Sequence, residues 1–355
     1  MAPALRDRYH LSLGQTGILL GASLGGSVVT LVPWGMAADR LGERAVLVVG
    51  VGACGLSLLG ASRVSGFWPL LAWLLLAGMT GASVQSASGR AVMAWFPQAQ
   101  RGLALGVRQT AIPIGGFVVS LGLPPLERYG NVHWGFAALG IACLCSTVVA
   151  GFVLREGPPE EGAPAAVGPS PFRDRRVWSM AVGSALIVAP QMCVVGFAVV
   201  FLHDRRGMSA GAAGGVLASI QFLGIGGRIA AGRWSDLVAS RIRPVRAIAL
   251  VTSVLTLLLA AIVGAPLALL IPVLVAAGVL AMSWNGLAFA AAAEVSGRAR
   301  TGVAIGLQQS VVNGIGAVYP PLFGALVAAT TWRYGFAAVA LLPLAGRRVL
   351  RALRV

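Results

Sequence analysis

The chain has 355 residues, of which 57% are hydrophobic and only 11% charged, with a mean hydropathy of +0.84. Soluble globular chains average about 45–50% apolar and about 25% charged residues, so this composition excludes an ordinary water-soluble fold. The net charge of +16 is all arginine on the basic side, and with no Lys the chain holds neither a Walker lysine for nucleotide phosphates nor a Schiff-base lysine.

Most arginines stand between apolar runs, where membrane orientation places them. A nucleic-acid face needs accessible basic surface, so no nucleic-acid partner is expected. Cys54, Cys143, Cys145 and Cys193 lie inside apolar runs and read as small packing residues. No metal, cofactor or nucleophile–base pair is foreseen, and the chain is not expected to be an enzyme. Residues 1–10 are too polar for a cleavable apolar leader.

In chain order, apolar runs of about 20 residues, each enough to cross a ~30 Å hydrocarbon layer, predict helices over 11–36, 45–62, 67–93, 102–126 and 132–154. A Pro-, Gly- and Glu-rich break follows, then runs at 177–202, 209–234, 245–264, 266–292, 301–328 and 332–350. The expected organisation is all-α and polytopic: a bundle over 1–155, a linker over 156–176 and a second bundle over 177–355. The halves repeat. A shift of 200 positions lays Gly102, Gly106, Gln109 and Gly116 on Gly302, Gly306, Gln309 and Gly316, and Gly135-Phe136-Ala137-Ala138 on Gly335-Phe336-Ala337-Ala338. Paired helix bundles of this kind suit a transporter with its substrate site near the bilayer midplane.

If the linker is cytoplasmic, that side carries seventeen arginines and the other seven, with three inside the apolar runs. The positive-inside rule then places the linker and C-terminus in the cytoplasm of a multi-pass protein of the cell membrane. Eleven spans put the N-terminus outside.

Between the first two spans stands Gly35-Met-Ala-Ala-Asp39-Arg40-Leu-Gly42-Glu-Arg44, and in the second half Gly232-Arg-Trp-Ser-Asp236-Leu-Val-Ala239-Ser-Arg241. With the repeat, the linker and the Phe96-Pro97 to Arg101-Gly102 stretch, these loops resemble the major facilitator superfamily over nearly the whole chain. The resemblance implies a two-bundle carrier in which the loops latch the bundles at the cytoplasmic face during alternating access. Gly35, Asp39, Arg40, Gly42, Arg44, Gly232, Asp236, Arg241 and Arg90 are the gating residues it points to. Independently of the family, Gly35 and Gly42 permit close approach and a tight turn, and Asp39 can cap a helix N-terminus and pair with Arg44. Ala239 takes the place of the glycine in the second copy. The first span matches the family's second helix, so a first helix is expected upstream of Pro3–Asp7. Around Gly106-Val-Arg-Gln-Thr110 the chain is similar to permeases of the cyanate and nitroimidazole kind.

Small residues every four positions (Gly17, Gly21, Gly25; Gly302, Gly306, Ser310, Gly314) suit close helix packing in lipid. Arg90, Arg108 and Arg228 fall inside apolar runs, where a charge costs several kcal/mol. Arg90 and Arg228, near span ends, are expected to snorkel or to pair with acids such as Asp39 and Asp236. Arg108 lies about 10 Å inside its helix from Arg101. Arg108 and Gln109, with Gln308, Gln309 and Asn313, are the expected contacts for an anion. Gln85, Gln191, Gln221, Trp284 and Asn285 are further buried polar candidates. No Asp or Glu falls mid-span. The expected activity is therefore transport of a small, anionic solute by a monomer in a lipid bilayer. The competing readings are a drug/proton antiporter, which needs an acid on an upstream helix, and a truncated, non-transporting relic or receptor.

Overall fold

The computed structural model describes residues 13–155, 170–297 and 300–353. The stretch holding Pro3–Asp7, most of the Pro-rich linker, Arg298 and Arg354 lie outside the described residues. Among those described, the regular structure is helical, with no strand: α1 Leu13–Leu41, α2 Glu43–Ala61, α3 Phe67–Gly81, α4 Ser83–Trp95, α5 Arg101–Gln109, α6 Ala111–Val153 and α7 Arg175–Ile187. After α7 come α8 Ala210–Leu237, α9 Ile242–Ala261, α10 Leu267–Met282, α11 Asn285–Ser296, α12 Thr301–Gly316, α13 Tyr319–Ala329 and α14 Trp332–Val349.

Local chemistry sets the breaks. Gly42 (φ 86) separates α1 from α2, Gly66 (φ 99) precedes α3, and Gly297 (φ 74) follows α11. Asp174 and Ser209 accept from the backbone N–H of Arg176 and Ala212, capping α7 and α8. Beyond Pro190, which lacks an N–H, Gln191–Val195 form a π-helical turn. The break expected at 127–131 is not found. The interruption falls instead at Thr110, where Pro113 has no N–H to give the Gln109 carbonyl, and α6 then runs on through Val153.

Among the described residues, eight helical segments are long and apolar enough to cross a membrane, against the eleven expected runs. α14 fails that test through its own charges, since Arg333, Arg347 and Arg348 sit at its ends. It is formed nonetheless.

Two compact units result. One comprises residues up to Trp95, Ile114–Pro171 and Gly297–Ser310. In it α1 crosses α3, where the Thr30 hydroxyl and the Trp34 indole N–H both donate to the Met79 carbonyl at 2.7 Å. A Cβ on Gly55 of α2 would lie 2.9 Å from the Gly140 carbonyl oxygen of α6, so the backbones meet there because neither residue has a side chain. Leu19, Leu70, Leu74, Val132 and Phe136 fill the core.

The other unit comprises Phe96–Pro113, Phe172–Ser296 and Val311–Val355. It packs α5 on α8, α9 on α14 and α7 on α14. An aromatic nest of Phe201, Phe323, Trp332 and Phe336, with centroids 5.1–6.0 Å apart, closes one of its cores. Met180, Ile187, Trp284 and Leu287 belong to the other.

Candidate functional site

Each loop motif holds a carboxylate that binds the start of another helix. In the first unit Asp39, near the end of α1, accepts from the backbone N–H of Gly302 (2.8 Å) and Val303 (3.0 Å), the first turn of α12. In the second unit Asp236, near the end of α8, accepts from Gly102 (2.9 Å) and Leu103 (2.8 Å), the first turn of α5. Those N–H groups have no partner within their own helices, and the helix dipole adds to the attraction. The two contacts need backbones in touch. A Cβ on Gly102 would sit 2.6 Å from the Gly232 carbonyl oxygen, and one on Gly302 would meet Gly35 in the same way.

The ion pairs around these caps differ between the copies. In the second, Arg241 holds Asp236 at 2.5 Å and Glu294 at 3.0 Å, and donates to the Gln98 carbonyl. In the first, Arg44 does not pair with Asp39 as expected but donates to the Gly151 carbonyl. Asp39 is paired with Arg90 at 3.4 Å, and Arg90 also binds the buried Glu43. The physical reason is the residue on the neighbouring helix. Glu294 on α11 draws Arg241 inward, whereas α4 offers the cation Arg90, which satisfies Asp39 and leaves Arg44 to turn away. Gly35 and Arg40 stand in the last two turns of α1 and Gly42 just beyond its end, with Arg40 exposed.

Arg228 does not reach Asp236 either, because eight residues on one helix are about 12 Å and Asp236 is already held. It is 2% exposed, and its Nε–H donates to the Met282 carbonyl at 3.1 Å.

Four of the intramembrane candidates, Arg108, Gln109, Gln191 and Asn285, lie in the second unit on or against α5 and α11. Arg108 donates to the Gln109 side-chain oxygen at 3.0 Å, and its guanidinium carbon lies 4.8 Å from the centroid of the Phe289 ring. At that range a guanidinium is attracted by the ring's quadrupole. One turn before Phe289, the Asn285 amide donates to Gln191 at 3.2 Å, so the π-helical turn after Pro190 and the start of α11 share a polar pair. α5 and α11 approach closely, since a Cβ on Gly286 would lie 3.1 Å from the Gly106 nitrogen.

The other expected contacts are placed differently. Trp284 is 1% exposed in the apolar core and donates to the Ala281 carbonyl, so it is a wall and not a ligand. Gln221, on α8, has a buried side-chain oxygen without a hydrogen-bond partner. Asn313 is half-buried on α12. In the first unit Gln309 donates to Gln308 at 3.0 Å, both buried, and Gln85 is half-buried on α4. Sequence reasoning missed Phe289 and Glu43. The signal for Phe289 was its place four residues after Asn285, on the same helix face.

The Major Facilitator Superfamily profile matches residues 1–319. "Uncharacterized MFS-type transporter MT3072" of Mycobacterium tuberculosis (strain CDC 1551 / Oshkosh) is 35% identical over 348 residues, 97% of this chain and 78% of that protein. The Hexuronate transporter of Bacillus subtilis (strain 168) is 29% identical over 117 residues, 33% of this chain and 28% of its own length. Among solved structures, the human organic anion transporter MFSD10 (TETRAN) shares the fold with a TM-score of 0.77 at 18% identity, over 95% of this chain and 84% of that one. Apolar helices of membrane-crossing length, repeated loop motifs that cap distant helices and a match along most of the sequence agree: the chain belongs to the Major Facilitator Superfamily, as a multi-pass membrane transporter.

Proposed function

We propose that this transporter carries a small carboxylate or other oxyanion across the cell membrane by alternating access, as a monomer of two repeated bundles with the linker on the cytoplasmic side. The observation that carries the reading is Arg108, a guanidinium in the last turn of α5, set over Phe289 and oriented by Gln109. A guanidinium offers a planar fork of donors matched to a carboxylate, and its burial is costly without a function. Gln109 accepts from the guanidinium, and Asn285 and Gln191 form a neutral polar pair one turn before Phe289. A relative named for hexuronate, a sugar carboxylate, agrees with an anionic cargo.

The test is uptake of labelled carboxylates and inorganic oxyanions into proteoliposomes. Arg108→Gln abolishes uptake while circular dichroism of the purified protein stays at the wild-type value. Unchanged uptake kinetics in that variant remove Arg108 from the site, and uptake of cationic drugs in exchange for protons, with no anion carried, replaces this reading by that of an antiporter.

A further inference from the structure

Arg228 lies in α8 between two glycine-rich contacts. Its own carbonyl oxygen would be 2.6 Å from a Cβ on Gly106 of α5, and a Cβ on its neighbour Gly227 would overlap the Ser283 hydroxyl. Its side chain therefore enters the junction of α5, α8 and the break at Ser283-Trp284 between α10 and α11. There the guanidinium makes one hydrogen bond, from Nε–H to the Met282 carbonyl, and its buried Nη1 has no partner. Among the described residues no carboxylate lies within ion-pair distance of it. The two acids of this face are spent: Asp236 on Gly102, Leu103 and Arg241, and Glu294 on Arg241.

A buried cation with a single neutral contact is an expensive arrangement. Removing a guanidinium from water costs several kcal/mol, and one carbonyl does not return it. A guanidinium left with a free edge is also the group best shaped to take two oxygens of an anion. We infer that Arg228 is an oxyanion-binding residue, a second cationic subsite one helix away from Arg108, and that a carboxylate or inorganic oxyanion docks on its Nη1 edge at the Ser283-Trp284 break. The inference extends the proposed anion transport. Met282 and Phe289, the contacts of Arg228 and Arg108, stand seven residues apart on either side of the Ser283-Trp284 break. An anion with charge at both ends, or an anion handed from one cation to the other, would engage both.

The probes are sodium succinate, sodium formate and sodium sulfate at constant ionic strength, and the readouts are the thermal midpoint of the purified full-length protein in detergent and its tryptophan fluorescence. At least one probe raises the midpoint of the wild type in a saturable way and changes the fluorescence, with the fluorescence change reduced in Trp284→Phe. Succinate alone points to the two-ended carboxylate, and sulfate alone to an inorganic cargo. Arg228→Met loses the anion-dependent rise at least tenfold in affinity, yet without anion melts no lower than wild type, because an unneutralised charge has been replaced by an apolar chain of similar length. Arg228→Lys retains weak binding.

The inference is overturned if no probe shifts the wild type, if Arg228→Met keeps the shift, or if Arg228→Met melts several degrees lower without anion. The last result makes Arg228 a structural tie to Met282. Uptake that depends on Arg108 but not on Arg228 leaves the proposed function standing and removes this subsite. A shift that depends on Arg228 and not on Arg108 does the reverse.

Discussion

Ala239 holds in the second loop motif the place that Gly42 holds in the first, and both have positive φ, 46 at Ala239 and 86 at Gly42. A Cβ makes the left-handed conformation at Ala239 unfavourable by about 1 kcal/mol, and the Gly42 backbone, at ψ 162, lies in a region essentially confined to glycine. The loop after α8 therefore stores strain that the loop after α1 does not. Ala239→Gly is expected to raise stability by about 0.5–1 kcal/mol, read as a higher denaturation midpoint in detergent, and Gly42→Ala to lower it by more, about 1–3 kcal/mol. Equal midpoints for wild type and Ala239→Gly contradict the strain.

The carboxylate caps give a second expectation. Asp236→Ala leaves the N–H groups of Gly102 and Leu103 without their acceptor and removes one of the two carboxylates that hold the buried Arg241 guanidinium. The loss exceeds the roughly 1 kcal/mol of an ordinary helix cap, because a buried ion pair is broken as well. Asp39→Asn keeps one acceptor oxygen for the Gly302 and Val303 N–H groups, loses the other, and removes the charge that faces Arg90. Its expected effect is slower transport with an unchanged preference among substrates. A selective change in that preference contradicts a gating role.

Burial ranks the ion pairs. Arg241 and Glu294 are both almost fully covered, at 4% and 7% side-chain exposure, whereas Arg176 on Asp174 is 60% exposed. Glu294→Ala is expected to destabilise the protein by about 3 kcal/mol. Arg176→Ala is expected to cost under about 1 kcal/mol, since water and salt screen that pair. Denaturant titration of both variants checks the order, and similar losses for the two refute it.

Asp174 also provides a pH test. Burial works against ionisation there, but hydrogen bonds and charge from Arg176 hold the carboxyl below its ordinary pKa. A depressed folded pKa contributes stability that is present above the unfolded value of about 3.9 and disappears as pH falls through the folded value. Asp174→Ala is therefore less stable than wild type at neutral pH by about 1 kcal/mol, the worth of the α7 cap, and the gap narrows below pH ~4. A gap independent of pH shows that the charged form has no part in the cap.

The contact of Arg108 with Phe289 predicts a graded effect on transport. Phe289→Leu keeps an apolar wall but removes the ring face, worth about 0.5–2 kcal/mol to a desolvated cation. The guanidinium becomes less well oriented, so KM for the anion rises about 2–30-fold while the protein still folds. An unchanged KM shows that the ring only packs.

Helices, their apolar lengths and the repeated loops were legible because lipid forces backbone polar groups into local hydrogen bonds, and local bonding leaves its mark on consecutive residues. Gly35 and Gly302 read as contacts for the same reason, since only a missing side chain lets two helices touch, whereas Gly21 and Gly25, at the same four-residue spacing, have nothing within 4 Å of a Cβ. Partner choice was not legible. Asp39 and Arg44 are five residues apart and looked like a pair, but Arg90, 51 positions from Asp39, is the cation that reaches it. Trp284 beside Asn285 looked like one polar group, yet the helix break turns the indole into the core and the amide toward Gln191.

The sequence by itself determined a membrane-embedded helical transporter, its repeat and the residues able to cap or to carry charge, because composition and spacing act along the chain. Only the tertiary structure decided which acid each arginine meets, and that Arg228 meets none among the described residues. Ion pairing is settled by which helix faces which across distances the sequence does not encode, and in a low-dielectric interior that choice separates a tie from a binding site.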